Sequence, residues 1–236
     1  MSTFLDDLKR ELSSETKVDT ISKVLYSVDA SIYEVEPLAI VIPRTKADLI
    51  KAIQIANKHK VSVIPRGAAT GITGGCLGKG LVIDTSVHLN AIQSIDYDKE
   101  RVICEPGVIQ DQLNAALSAK GYRLGPDTST GNRATIGGMV GNNAAGAHAL
   151  KFGQMVDHLE ACELILYSGK VIRFESVTKA QWDEKCALQT EEGAIYRTVS
   201  EIQSEYAEEI EKRFPKVARR VSGYNLNELV KPNFTN

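Results

Sequence analysis

The sequence predicts an α+β fold assembled from two α/β halves, and three observations carry that prediction. Apolar runs at Leu38–Ile42, Val61–Ile64 and Leu81–Ile83 have strand length, and an amphipathic helix separates the first two. Between the last two runs lies a small-residue loop, Pro65-Arg66-Gly67-Ala68-Ala69-Thr70-Gly71-Ile72-Thr73-Gly74-Gly75. It is too long for a hairpin tip, which takes about two to five residues. Beyond residue 86 a second set of strand and helix patterns begins.

Taken in order, Phe4, Leu5, Leu8 and Leu12 recur at helical spacing and predict a helix over 3–13. Another is expected over 19–27. The strand Leu38–Ile42 ends at Pro43. Thr45 then caps a helix, with Asp48 three residues on in an approximate capping box. Leu49, Ile53 and Ala56 share one face of that helix, which runs to about Lys58. In the second half, Ile92–Tyr97 and Arg101–Glu105 read as strands around an Asp98-Lys99-Glu100 turn. Ile109, Leu113, Ala116 and Leu117 make a helical face, and Gly121 stops it. His158–Tyr167 and Val171–Phe174 are strands joined through Ser168-Gly169. Thr178 with Gln181 opens a further capped helix, and a charged, mostly solvated helix is expected over 191–213. Arg219 to Leu226 reads as loop.

Composition narrows the function. A chain of 236 residues with net charge −2 offers no electrostatic footprint for nucleic acid. No apolar run reaches the ~18 residues of a membrane span. The acidic start, Met1 to Asp7, is not a signal peptide. Cys76, Cys104, Cys162 and Cys186 are scattered without a Cys-x-x-Cys pair, which reads as reduced thiols of a cytoplasmic protein. No ligand spacing suggests a metal, and no Ser/His/Asp set suggests a nucleophile. His59 closes a helix, where a cation suits the dipole, and reads as structural; His88 and His158 stand beside strands and read as surface or core residues; His148 reads as structural, since no partner acid or base is identifiable near it.

The chemistry resides in two glycine-rich stretches. In Arg66–Gly75 almost no side chain keeps a ligand from the backbone, and successive N–H groups in such turns bind anions. A diphosphate is the expected guest, although neither a Gly-x-x-x-x-Gly-Lys-Ser/Thr nor a Gly-x-Gly-x-x-Gly loop is present. The second stretch is Gly125-Pro126-Asp127-Thr128, followed by Arg133 to Gly146. Gly137, Gly138 and Gly141 would each cost a helix about 1 kcal/mol relative to Ala, so a ligand needing close backbone approach is one explanation. A glycine-rich packing loop is the other. A helix beginning near Thr135 would point free N–H groups at an anion.

Together the stretches resemble one family. Pro65–Gly75 followed by Ala134-Thr135-Ile136-Gly137-Gly138-Met139-Val140-Gly141-Asn142-Asn143-Ala144 is similar to the FAD-binding domain of FAD-linked oxidases, in the vanillyl-alcohol oxidase or PCMH superfamily. Within it the likeness is to the D-lactate, glycolate and D-2-hydroxyglutarate dehydrogenase branch, which Arg219 to Leu226 also fits. The resemblance implies a PCMH-type domain of two α/β subdomains with the cofactor between them. It divides the chain into a helical lead-in (1–36), subdomain 1 (37–86), subdomain 2 (87–218) and the start of a segment leading to a substrate domain (219–236). It implies that Pro65, Arg66, Gly67, Ala68, Ala69, Thr70 and Gly71 wrap the diphosphate. It also implies that Pro126, Asp127, Thr135, Ile136, Gly137, Gly138, Asn142, Asn143, Ala145 and Gly146 line the diphosphate, ribityl chain and flavin. His148, just beyond them, could face the flavin.

Three departures matter. Ala69 stands where the family commonly has glycine, so it needs φ < 0 or accepts strain. Thr70 stands where some relatives attach FAD through histidine, so the flavin is expected to be non-covalent. The flavin-covering Gly-Ser-Glu-Gly-Thr-type stretch and the substrate domain do not occur in this sequence. The resulting expectation is the FAD-binding module of a flavin-dependent 2-hydroxyacid dehydrogenase, an N-terminal part of a longer enzyme and inactive alone. A small hydroxyacid substrate would meet it through the further domain, electrons would pass to an unidentified acceptor, and no catalytic residue is assigned. A non-catalytic nucleotide-binding or protein-interaction module is the alternative of a different class. A UDP-sugar reductase is another, which the match at Arg219 to Leu226 disfavours.

Overall fold

Local chemistry sets the first elements of the computed structural model, which describes residues 3–217 and 224–229. Thr3 and Asp6 form a capping box that starts α1 (Phe4–Glu11), and Leu12 ends it with extended backbone, two residues short of the expected 13. A three-residue strand, β1 (Glu15–Lys17), follows within the stretch read as a helical lead-in. Asp19 accepts from the Ser22 amide and caps α2 (Thr20–Tyr26). After β2 (Ala39–Ile42), the Thr45–Asp48 box opens α3 (Lys46–Lys58). Then come β3 (Val63–Arg66) and β4 (Leu81–Asp84).

These strands form one sheet in the order β1-β2-β4-β3. β1 pairs antiparallel with β2, whereas β4 lies parallel to both β2 and β3. The parallel β3–β4 pair explains the length of the glycine loop: residues 67–80 must carry the chain back along the whole strand, which a hairpin tip cannot do. Pro65 is tolerated because β3 is an edge strand. Every residue of β2 and β4 is buried. Ala39, Val41, Leu81 and Ile83 pack with Leu8 of α1 and Ala52, Ile53, Ile55 and Ala56 of α3, while Ile40, Ile42, Ile64 and Val82 pack on the other face with Tyr26. Each fully buried Leu, Ile or Val contributes about 1.5–3 kcal/mol, so this two-sided core is what holds both ends of the glycine loop. His59 closes α3 with its Nε2 2.7 Å from the fully buried Asp7 carboxylate, a structural role.

The next elements are β5 (Ile92–Asp96), antiparallel to β6 (Arg101–Cys104), then α4 (Gln110–Ser118), α5 (Ile136–Gly141) and α6 (Ala149–Phe152). Gly121 ends the α4 turn at φ 76°, as its residue type predicts. Val108, Leu113 and Leu117 form one small core under β5 and β6, and Ala134, Met139 and Met155 form another under α5.

The chain divides into two compact units, Met1–His158 with Ile165–Lys170, and Leu159–Leu164 with Val171–Asn236. The hairpin of β7 (Ala161–Ile165) and β8 (Val171–Glu175) starts three residues later than expected. Met155–Asp157 instead form a 3-10 turn, and the His158 ring nitrogen Nε2 sits 2.6 Å from the Phe152 carbonyl. In the second unit, α7 (Lys179–Ala187) carries the Thr178–Gln181 capping box. In α8 (Glu191–Arg213), Gly193, Tyr196 and Ile210 are the buried positions, so most of it is solvated, and α9 (Leu226–Leu229) follows. Of the Arg219–Leu226 motif, residues 219–223 lie outside the described residues.

Candidate functional site

The glycine loop leaves β3 at Arg66, whose register partner is Asp84 at the end of β4. The Arg66 guanidinium donates to the carbonyls of Tyr26 at 3.1 Å and Val28 at 2.8 Å and lies 4.9 Å above the Tyr26 ring. The Tyr26 hydroxyl donates to Asp84 at 2.7 Å, and burial followed by this bond pushes the phenol far above its ordinary pKa. The Arg66 side chain therefore fastens the loop to α2, and any anion is left to the backbone.

Residues 26–33 frame the loop further. The Ala30 amide donates to the Ala69 carbonyl at 3.1 Å, and Gly74, at φ 73°, leaves no room for a Cβ because the Tyr33 ring would lie 2.9 Å from it. Sequence reasoning missed this segment. The signal it carries is the Asp29-Ala30-Ser31 turn, in which the Ser31 amide donates to Asp29 Oδ1 at 2.8 Å. Ala69 itself sits at φ 55°, so the residue that departs from glycine accepts the strain. Ala69→Gly should therefore stabilise the chain by about 0.5–1 kcal/mol, opposite in sign to an ordinary Ala→Gly change, because relief of left-handed strain exceeds the added chain entropy. A thermal melt checks this: an unchanged or lowered Tm would show that the strain is absent.

The second stretch opens at Thr135, buried and extended, which begins α5 without a side-chain cap bond. The expectation of free amides there needs correction. The Ile136 amide donates to Val108 O at 2.8 Å and the Gly137 amide to Pro106 O at 2.8 Å, so two of the first-turn donors are already engaged. Gly137 is required by packing as well, since a Cβ there would lie 2.6 Å from Pro106 Cβ. Asn143, at φ 45°, accepts from the Val156 amide at 2.9 Å through Oδ1, which fixes the turn after α5. Ala145 bridges to Gln154. Pro126 is fully buried and its carbonyl accepts from Gln110 Nε2 at 2.5 Å, while Gln110 Oε1 accepts from Thr128 at 2.6 Å. Gln110, buried at the start of α4, positions the Pro126-Asp127-Thr128 turn.

Asp127 answers the question left by His148, for which the sequence offered no partner. Asp127 Oδ2 pairs with His148 Nδ1, and Oδ1 accepts from the His148 amide at 3.1 Å. The side-chain bond from His148, ahead of the other contacts, holds the Asp127 carboxyl below its ordinary pKa. A Cβ at Gly146 would lie 1.8 Å from Asp127 Oδ1 and 2.3 Å from its carbonyl oxygen, so Gly146 lets these two turns meet.

The fold brings the two stretches against each other. A Cβ at Gly67 would lie 2.2 Å from Thr135 Oγ1, and one at Gly71 would lie 3.6 Å from Asn142 Nδ2. The glycines thus sort into two kinds. Gly67, Gly137 and Gly146 are demanded by the protein's own close packing. Gly71 meets only that ordinary contact, and Gly141 meets nothing within 4 Å. Gly138 is exposed beside Thr135 Oγ1, and its amide has no partner among the described residues. Pro65 is exposed, and Ala68 and Thr70 are half-buried, in the first stretch. The cleft of about 490 Å³ beside α4 touches, among the predicted residues, Asp127 alone. Among the described residues no group of three or more His, Cys, Asp or Glu could hold a metal, and no helix is long and apolar enough to cross a membrane.

The model of the FAD-binding domain family matches residues 37–175. The chain is 35% identical over 231 residues to D-2-hydroxyglutarate dehydrogenase of Pantoea ananatis, covering 96% of this chain and 23% of that protein. It is 33% identical over 153 residues to the glycolate oxidase subunit GlcD of Bacillus subtilis, covering 64% of this chain and 33% of that one. The chain therefore spans about a quarter to a third of the length of these curated relatives. Alkyldihydroxyacetonephosphate synthase, a solved structure, matches with TM-score 0.65 and 20% identity over 73% of this chain and 34% of that one, a likeness of fold.

Proposed function

Because the chain belongs to the FAD-binding domain family, we propose that it is the FAD-binding module of a flavin-dependent D-2-hydroxyacid dehydrogenase. The observation that carries the reading is the opposition of Gly67–Gly71 to Thr135–Asn142, with open space beside the backbone at Gly71 and Gly141 and an exposed Gly138. When bound, FAD would supply a two-electron acceptor for the hydride on the substrate C2. The residues of this chain bind and orient it. Backbone amides from Gly67 to Gly71 and at Gly138 receive the diphosphate, and Arg66, Gln110 and Asn143 hold the turns in place.

Subdomain 1 (37–86) carries the phosphate loop, and the second subdomain, from residue 87, carries the facing stretch. Residues 219–236 lead toward a substrate domain. The hydroxyacid substrate and the separate electron acceptor belong to that larger enzyme, a reading supported by the share of the relatives that this chain spans. Thr70 offers no imidazole, so the flavin is non-covalent. Four free cysteines favour a cytoplasmic setting, which cell fractionation would test.

The test is reconstitution of the purified chain with FAD. Bands near ~370 and ~450 nm are expected, with all flavin released to the supernatant on acid precipitation. The reconstituted chain should turn over none of D-lactate, glycolate or D-2-hydroxyglutarate with an artificial acceptor. A colourless protein after reconstitution refutes the binding module, flavin that stays with the denatured chain refutes the non-covalent reading, and turnover moves the substrate site into this chain.

A further inference from the structure

From Gly67 to Cys76 no backbone amide has a hydrogen-bond partner among the described residues. Such a run of donors can face an anion only if something else fixes its shape, because the segment lies in no helix or strand that would do so. The support comes from residues 26–33. The Arg66 guanidinium donates to the Tyr26 and Val28 carbonyls, and the Ala69 carbonyl accepts from the Ala30 amide. The Cys76 thiol donates to Asp29 Oδ2 at 3.6 Å, and the Tyr33 ring packs on Gly74. Burial pushes the Cys76 thiol up from its ordinary pKa, which keeps its proton in place for that bond. Each contact engages a carbonyl, a side chain or a Cα of the glycine loop and leaves its amides free.

The supporting segment has a shape of its own. Val28 bridges to Glu34 and the Val35 amide donates to the Ser27 carbonyl at 2.8 Å, so residues 27–35 close on themselves. At the tip, the Ser31 amide donates to Asp29 Oδ1 at 2.8 Å and the Tyr33 amide to Ser31 Oγ at 3.1 Å. At the base, the Tyr26 hydroxyl ties the turn to Asp84 of β4. The turn is thus built and anchored without help from the glycine loop. We propose that it is a template for the anion-binding loop, with Asp29 and Arg66 as positioning residues that raise the affinity of the site without touching the ligand. This rests on the FAD-binding reading above and concerns the diphosphate alone. Charge by itself predicts something different. As a mere charge, Arg66 would attract a diphosphate and lysine could replace it, whereas Asp29 would repel the anion. As positioning groups both favour binding. The Arg66 fork spans two carbonyls, and the two Asp29 oxygens join the tip of the turn to Cys76.

The experiment is calorimetric titration with FAD of the purified chain and of Arg66→Lys, Asp29→Ala and Asp29→Asn, beside a thermal melt of each ligand-free protein. Arg66→Lys and Asp29→Ala should each bind FAD at least about fivefold more weakly than the wild type, because a loop without its template must be ordered on binding. Asp29→Asn, which keeps an acceptor for the Ser31 amide, should stay within about twofold of the wild type. The sign at Asp29 is decisive: loss of a repelling charge would tighten binding, whereas loss of the template weakens it. Wild-type affinity in Arg66→Lys, or unchanged or tighter binding in Asp29→Ala, overturns the proposal and leaves the FAD reading intact. A lowered Tm with undiminished affinity does the same and makes the turn a purely structural feature. If Arg66→Lys does not fold, the Asp29 pair decides, since the Asp29 side chain bonds only to Ser31 and Cys76 among the described residues. A wild-type chain that takes up no FAD overturns both readings.

Discussion

Gly71→Val should weaken FAD binding at least about a hundredfold, some 2.7 kcal/mol, while leaving the Tm of the ligand-free chain within about 2 °C. The two halves of that expectation have separate causes. A Cβ at Gly71 meets only Asn142 Nδ2 at 3.6 Å, an ordinary contact, and its φ lies outside the left-handed region, so the protein has room for the added Cβ. The added methyl groups of valine then occupy the space in front of the loop, where a diphosphate must approach the amides closely. Isothermal titration of FAD alongside a thermal melt separates the halves. Undiminished affinity would remove Gly71 from the site, and a collapsed Tm would mean that its openness is illusory.

Gly67→Ala is expected to do the reverse and destabilise the ligand-free chain by about 2–3 kcal/mol, the upper range for overpacking a close contact. The obstacle is one atom: the new Cβ would lie 2.2 Å from Thr135 Oγ1, but 3.4 Å from Thr135 Cβ. Removing that oxygen should rescue the variant. In a double-mutant cycle, Gly67→Ala with Thr135→Ala should recover about 1–2 kcal/mol, whereas Thr135→Ser, which keeps the oxygen, should recover nothing. Gly146→Ala makes the contrast. There the Cβ meets backbone atoms of Asp127 at 2.3 and 2.4 Å as well as its side chain, so Asp127→Ala should not restore stability. Urea denaturation of the single and double variants reads both outcomes. Equal rescue by Ala and Ser at position 135 would show that the two stretches do not meet there.

These variants mark where sequence reasoning stops. Both the ligand reading and the packing reading of the glycines were available from composition; the structure shows close packing at Gly67, Gly137 and Gly146 and open space at Gly71 and Gly141. Nothing in a run such as Ile136-Gly137-Gly138 says that Gly137 abuts Pro106 while Gly138 faces outward. That depends on which distant backbone lies alongside. Arg66 shows the same limit, for a cation in a phosphate loop suggests a phosphate contact, and here it grips the carbonyls of Tyr26 and Val28.

By itself the sequence determined what short-range chemistry decides. The capping boxes at Thr45–Asp48 and Thr178–Gln181 join residues three apart, and their helices begin where predicted. Gly121 stops its helical turn through its own backbone freedom. The buried strands β2 and β4 show as unbroken apolar runs because both of their faces are covered. Tertiary structure alone decided that β3 and β4 are parallel, that residues 26–33 frame the glycine loop, and that Asp127 orients His148. The physical reason is range. Periodicity and caps act within a turn or two of chain, whereas the bond from Tyr26 to Asp84 spans 58 residues and that from Asp127 to His148 spans 21, and such partners meet only when the core brings them together.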